Sequence, residues 1–234
     1  MFGRAYKVGT ILGFRIEISV TFLIFLAIIL LMAGTQSGLA GVLSGLIMVG
    51  LLFGSVLAHE LGHAVVARRL GVRILGIELH FVGGAAKMAT PPRTAREEII
   101  VALAGPAVSF ALTVLAFLLF LTSDARIFQL LALVNLLLAV FNLVPALPMD
   151  GGRVLRAALS ARLGRYRATL VAATVAQVLA ITMVVVGIAQ QMSPFLFIAG
   201  AQLSGFALIL VAVLVWFMAA QERAMAGRWQ YADE

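Results

Sequence analysis

Apolar positions along this chain gather into long runs, separated by short stretches that hold most of the charge. A helix rises about 1.5 Å per residue, so crossing a hydrocarbon core of about 30 Å takes roughly 20 apolar residues. Six runs fit that requirement: residues 16–34, 39–66, 99–121, 127–143, 169–189 and 195–220. The pattern predicts an all-α polytopic membrane protein with about six transmembrane helices. The second run exceeds one crossing and is expected to project past the bilayer before Gly71 stops it. The first follows a basic head (Arg4, Lys7, Arg15) but is long for a signal-peptide core and has no clear small-residue cleavage site, so it is expected to be retained. Glycines 41, 45, 50 and 54 suit close helix packing.

Residues 72–92 do not fit a span. They hold Glu78, His80, Lys87, a Gly83-Gly84 pair and a Pro91-Pro92 stop. Ile74, Ile77, Leu79 and Phe81 suggest short strands with a turn at Gly83-Gly84, a small membrane-associated sheet or hairpin between spans two and three. Such backbone is tolerated at membrane depth only where protein or a water-filled cavity satisfies its polar groups.

Composition sharpens this picture. Of 234 residues, 63% are apolar and 12% charged, against about half and a quarter in soluble domains. The formal charge of +7 leaves too little polar surface for a nucleic-acid-binding face. Basic residues in so apolar a chain mark cytoplasmic loops instead. Sixteen of the seventeen lysines and arginines fall on one side of the expected topology, with only Arg126 on the other, which predicts cytoplasmic N- and C-termini. With no cysteine, any metal must be held by His, Asp or Glu.

The chemistry concentrates in two places. His59-Glu60-Leu61-Gly62-His63 closes the second run. Residues four apart share a helix face, so both imidazoles can hold one ion, with Glu60 beside it to take a proton from water. His63 lies five residues before Arg68-Arg69, placing the motif within the membrane but near its basic boundary. A catalytic zinc takes three protein ligands and an open position. The third ligand has several candidates: His80, Glu78, Asp124, Asp150 and the Glu97-Glu98 pair. Asp124 falls on the opposite side, and Glu97-Glu98 read as a solvated, charged helix start. His80 is chemically suitable. Asp150 is better placed, following the fourth run in an apolar string, residues 141–153, that is broken by Pro145 and Pro148 and contains Asn142 and Gly151-Gly152. A broken segment is a means of presenting polar groups to a buried site; an Asp capping the next helix is the alternative.

Together these residues resemble the site-2 protease family of intramembrane zinc metalloproteases, in its short prokaryotic form with six spans and no PDZ insertion. The likeness rests on residues 13–22, the His-Glu-Leu-Gly-His run, Gly83-Gly84, Ala104-Gly105-Pro106 and residues 142–156. It implies one zinc per chain held by His59, His63 and Asp150, with Glu60 as catalytic base and Asn142 positioning or polarising the scissile carbonyl. It also implies that the Gly83-Gly84 segment offers an edge to which a substrate, unwound into a strand, can pair. The family's three core spans would be the second to fourth here. Many relatives continue into paired nucleotide-sensing CBS modules; this sequence ends fourteen residues after Ala220, and adenine-nucleotide control is not assigned. His80 has no family role to carry over.

The expectation is therefore a single transmembrane metalloprotease domain over residues 1–234, with a catalytic core at 39–156 and flanking spans at 16–34, 169–189 and 195–220. Its partners would be the lipid bilayer of a prokaryotic plasma membrane and a transmembrane protein substrate, not nucleic acid. Spans one, five and six are candidates for a gate. Two rivals remain: a metal-cation transporter, and a catalytically silent relative that only binds a membrane partner. A transporter needs a continuous polar path, yet spans five and six carry no charge.

Overall fold

The computed structural model describes residues 5–81, 83–198, 201–202 and 204–230. The chain is mainly helical, and among the described residues four helices are long and apolar enough to cross a membrane: Val20–Arg69, Ala95–Ser123, Asp150–Met192 and Gly205–Gly227. It packs as two compact units, Met1–Phe141 and Asn142–Glu234.

The first unit opens with two strands, β1 (Ala5–Ile11) and β2 (Phe14–Ser19). The first apolar run thus enters as a strand, not as a helix from residue 16. Its start, Phe14-Arg15-Ile16-Glu17, alternates apolar and polar, and Phe14 and Ile16 are buried on one face while Arg15 and Glu17 pair at 2.7 Å on the other. Ser19 then caps α1 (Val20–Arg69), its hydroxyl accepting from the Phe22 amide.

Helix α1 is 50 residues long but breaks at Ser37 (φ −140°) and Gly38 (φ 57°). The left-handed φ is open to glycine without strain. The chain turns back there: the Phe22 and Phe53 rings meet edge to face at 4.3 Å, and Val49 and Ile29 join the same cluster. A Cβ on Gly41 would lie 2.1 Å from the Ala33 carbonyl oxygen, and one on Gly45 would lie 3.3 Å from the Leu30 side chain. These two of the four glycines do serve close packing, whereas Gly50 and Gly54 face nothing within 4 Å. The second arm ends as expected: Gly71 sits at φ 80°, and the Val72 amide reaches back to the Ala67 carbonyl.

Strands β3 (Ile74–His80) and β4 (Gly83–Met88) complete a four-stranded sheet in the order β1-β2-β3-β4. The hairpin between the second and third runs is present, but it is half of a sheet whose other half precedes α1. Strands β2 and β3 run parallel, with Glu17 opposite Glu78, while the outer pairs are antiparallel. The pairing of His80 with Gly83 makes the glycines the start of β4, not the turn itself. Phe14, Ile16, Ile77 and Ala64 form the core between sheet and α1. After the proline stop, a full capping box of Thr94 and Glu97 starts α2 (Ala95–Ser123), which Asp124 ends in a left-handed conformation. The last helix here is α3 (Arg126–Asn142), at 17 residues shorter than the others.

In the second unit α4 (Asp150–Met192) breaks at Gly164 (φ 74°), and its later arm packs antiparallel on α5 (Gly205–Gln230). Ala172, Ala173, Ala176 and Ala180 meet Ala212, Val215 and Ala219, and a Cβ on Gly187 would lie 2.8 Å from the Gly205 carbonyl oxygen. The final helix begins ten residues later than its apolar run suggests. Between α4 and α5 lie two short paired strands, β5 (Phe197–Ile198) and β6 (Ala201–Gln202). Fully buried Gln190 explains the delay: its Oε1 accepts from the Phe195 and Leu196 amides, and its Nε2 donates to the Leu196 carbonyl. With those groups satisfied, the segment has no need of a helical turn.

Candidate metal centre

Two turns from its C-terminus, α1 carries His59, Glu60 and His63, whose ligand atoms all lie within 4.8 Å of one another. Both histidines are buried, and their rings meet edge to face at 4.8 Å. Gly62 between them explains how a second helix comes so near: a Cβ there would stand 2.8 Å from the Ala104 carbonyl oxygen and 2.9 Å from the Val108 side chain. Without it α2 lies flush against α1 and supplies partners for both rings.

His63 Nδ1 is 2.7 Å from the Val101 carbonyl oxygen, and His59 Nδ1 is 2.9 Å from Ser109 Oγ. A carbonyl only accepts, so His63 Nδ1 bears the hydrogen, and Nε2 is the nitrogen left to hold an ion. His59 Nδ1 is engaged in the same way by the Ser109 hydroxyl, so in both rings Nε2 is the nitrogen that faces Gly105. Both Nε2 atoms converge beside the backbone of Gly105, which lies midway between these two anchors on α2. Ring orientation by a second hydrogen bond at the far nitrogen is the pattern of metal-ligating histidines.

Glu60 is held from the other side. Its Oε2 accepts from the Ala86 amide of β4 at 3.1 Å, and a Cβ on Gly84 would come within 2.6 Å of the Glu60 side chain. Because the Ala86 N–H points away from β3, the backbone groups of Gly84 and Met88, two residues to either side, share that outward edge. Gly84 therefore lies against the expected base, and Gly83 precedes it at φ 148°.

Two imidazoles with converging Nε2 atoms and an adjacent carboxylate fit a divalent ion of borderline softness, zinc foremost. Among the described residues, no other group of three His, Asp or Glu side chains is arranged to hold an ion.

The remaining expected residues sit as follows. Asp150 is the buried first residue of α4, its Oδ1 3.4 Å from the Arg153 guanidinium, and Asn142 ends α3; both belong to the second unit. The string between them folds tightly, with Ala146 and Met149 amides bonded within it. Gly151 and Gly152 permit this, since a Cβ on either would lie within 2.4 Å of the preceding backbone. His80 and Glu78 stand outside the group on β3, with Glu78 ion-paired to Lys87 and 3.5 Å from His80 Nδ1. Burial holds the His80 pKa below its ordinary value. Asp124 is exposed at the end of α2. Glu97 is the third-position partner of Thr94 in the capping box, while Glu98 is buried at 6% exposure instead of solvated as its charged neighbours suggest. What the motif alone misses is the α2 template. Its one sequence signal is the spacing of Val101, Gly105 and Ser109, four apart, where a small and a polar residue interrupt a bulky apolar helix.

A motif of this kind, on a multi-helix apolar scaffold with a sheet edge against its carboxylate, defines a membrane metallopeptidase class of site. Comparison with known proteins agrees. The model of Peptidase family M50 matches residues 47–125 and 122–186. A zinc metalloprotease of Methanocaldococcus jannaschii is 36% identical over 217 residues, 91% of this chain, and Rip3 of Mycobacterium tuberculosis is 35% identical over 236 residues, 94% of it. The chain spans 58% of the length of each. The solved structure of the site-2 protease from M. jannaschii superposes with a TM-score of 0.70 at 35% identity, covering 94% of this chain and 95% of that one. The chain belongs to peptidase family M50, the family of the site-2 proteases.

Proposed function

We propose that this protein is a zinc-dependent intramembrane endopeptidase that cleaves a transmembrane segment of a protein substrate near the cytoplasmic face. The observation that carries this reading is the convergence of two Nε2 atoms beside a carboxylate fixed by the edge of β4. Relatives named as a zinc metalloprotease and a site-2 protease support it. His59 and His63 would hold the ion, and the likeness of residues 142–156 to the family supports Asp150 as the third ligand. Zinc, when bound there, supplies Lewis-acid polarisation to the attacking water and the scissile carbonyl.

The residues of the chain do the rest. Glu60 takes the proton of the attacking water and passes it to the departing amine nitrogen. The Ala86 amide keeps one carboxylate oxygen in place while the other is used. Asn142 donates its side-chain amide to the carbonyl oxygen as charge develops there. A substrate helix hides its peptide bonds, so the scissile segment must first unwind. The outward groups of Gly84 and Met88 on β4 give an unwound strand a backbone to pair with, a few ångströms from the base.

The helical breaks support six spans, two of them from α1 and one each from α2, α3, the later arm of α4, and α5. The near one-sided placement of basic residues supports cytoplasmic termini. Residues 39–156 would form the catalytic core and the remaining spans its surround.

The test is cleavage of a model single-span substrate by purified protein in detergent, with Glu60→Gln and a chelator as controls. Turnover by the parent alone, lost on chelation and restored by zinc, is expected, with Glu60→Gln at least about 100-fold slower but still zinc-loaded. A parent that binds no zinc when supplied, or a Glu60→Gln variant with full turnover, overturns the reading.

A further inference from the structure

The helix α2 does more than bury α1. On one face it presents three groups one turn apart: the Val101 carbonyl, the bare Cα of Gly105 and the Ser109 hydroxyl. The outer two bind the Nδ1 atoms of His63 and His59, at 2.7 and 2.9 Å. The middle one faces the opposite end of both rings. A Cβ at 105 would lie 2.2 Å from His63 Nε2, 2.5 Å from its Cε1 and 2.6 Å from His59 Nε2. Each distance is well inside the roughly 3.4 Å at which a carbon and a nitrogen come into ordinary contact.

We infer that Gly105 is a positioning residue for the metal ligands: its missing side chain is what lets both imidazoles keep their Nδ1 anchors and bring their Nε2 atoms together. The inference rests on the reading of His59 and His63 as ligands. A methyl at 105 gives the rings two choices. They can remain anchored and overlap the methyl, which sterics forbid, or swing away by about 1 Å and give up the hydrogen bonds at Val101 and Ser109. Metal–ligand distances tolerate deviations of only about 0.2 Å, so either outcome removes the ion's geometry.

The groups that must yield decide where the damage goes. At Gly105 they are the far ends of two side chains, so the fold can absorb the methyl while the metal site cannot. At Gly62 the nearest atom is the Ala104 backbone oxygen, so the same change there forces the helices themselves apart.

The experiment uses the full chain in detergent, stripped of metal and then titrated with Zn²⁺ against a chromogenic chelator, comparing parent, Gly105→Ala and Ser109→Ala. Gly105→Ala is expected to weaken zinc binding at least 100-fold, more than Ser109→Ala, while its metal-free form keeps the helical circular dichroism, elution volume and melting midpoint of the metal-free parent. Zinc should raise the melting midpoint of the parent and leave that of Gly105→Ala unmoved. Zinc affinity of Gly105→Ala within threefold of the parent overturns the inference and leaves the proposed function standing. A metal-free Gly105→Ala that melts or elutes as a disrupted protein also overturns it, since the backbone and not the rings would then be what the methyl meets. A parent that binds no zinc overturns the proposed function instead.

Discussion

The seam between α1 and α2 and the seam between α4 and α5 use the same packing device for different ends. Both bring helix backbones close by stripping side chains from the interface, which is how helices associate where lipid removes the hydrophobic drive between them. Between α4 and α5 the device produces a buried row of alanines, with Gly187 set against the Gly205 carbonyl. Between α1 and α2 two of the small residues, Gly105 and Ser109, lie opposite the histidines. Gly62 admits the helix, Gly105 admits two imidazole ends, and Ser109 and the Val101 carbonyl satisfy the other ends. Close approach is therefore not itself the mark of a site. The mark is close approach that leaves room for a polar side chain and then provides a partner for it.

The strongest way to break this comparison is one bulky residue in each seam. Gly62→Val should displace the histidines from their α2 partners and cost about 100-fold in zinc affinity and in turnover, since misplacement by an ångström is worth that much at a reacting centre. Gly187→Val meets a backbone oxygen and the Ile209 side chain at the same 2.8 Å. It should lower stability by about 1–3 kcal/mol, as overpacking does, and leave zinc affinity unchanged. Chelator competition and thermal melting in detergent, run on both variants, check the contrast. Equal loss of zinc from the two would erase the distinction between the seams.

Ser109→Ala asks a finer question, because it removes an anchor without adding volume. Hydrogen-bond partners at the far nitrogen of ligating histidines are worth about 10–100-fold in metal affinity. Zinc binding should fall by that factor, with melting of the metal-free protein nearly unchanged. Restoration by Ser109→Thr, which keeps the hydroxyl, would assign the effect to the hydrogen bond.

How much of this was legible beforehand depends on whether a feature is local in sequence. His59, Glu60 and His63 could be read as a group because a single helical turn brings them together. The stop at Gly71 and the break between residues 34 and 39 are equally local. The sheet was half legible: β3 and β4 are neighbours in sequence, but β2 reaches β3 only after 50 residues of α1. The alternation that marks residues 14–17 as strand was swallowed by the longer apolar run that follows. The delayed start of α5 depends on Gln190, whose side chain replaces helical bonds several residues away. The α2 template was least legible of all. One of its three members is a backbone carbonyl, which any residue could supply, and another is the absence of a side chain.

The smallest expected effect lies on the face of the sheet turned away from α1, outside the group of His59, Glu60 and His63. Lys87 bridges Glu78 and Glu17, with its Nζ 2.9 Å from Glu17 Oε2. The hydrogen bond to Lys87 holds the Glu17 carboxyl below its ordinary value of 4.5, and the two carboxylates hold the Lys87 ammonium above 10.5. A depressed carboxylate contributes stability above its unfolded pKa and loses it as pH falls through the folded value; a raised ammonium contributes below its unfolded pKa and loses it as pH rises through the folded one. The bridge should therefore stabilise the sheet between about pH 4.5 and 10.5 and fade outside that window. With Lys87 43% exposed, its worth is at most about 1 kcal/mol. Lys87→Gln should lower the melting midpoint slightly at pH 7, converge with the parent as pH falls well below 4.5, and leave zinc affinity as it was. A tenfold loss of zinc affinity from this change would show that the sheet's outer face is coupled to the metal centre through β4, and would end the separation of packing from chemistry drawn between the two seams.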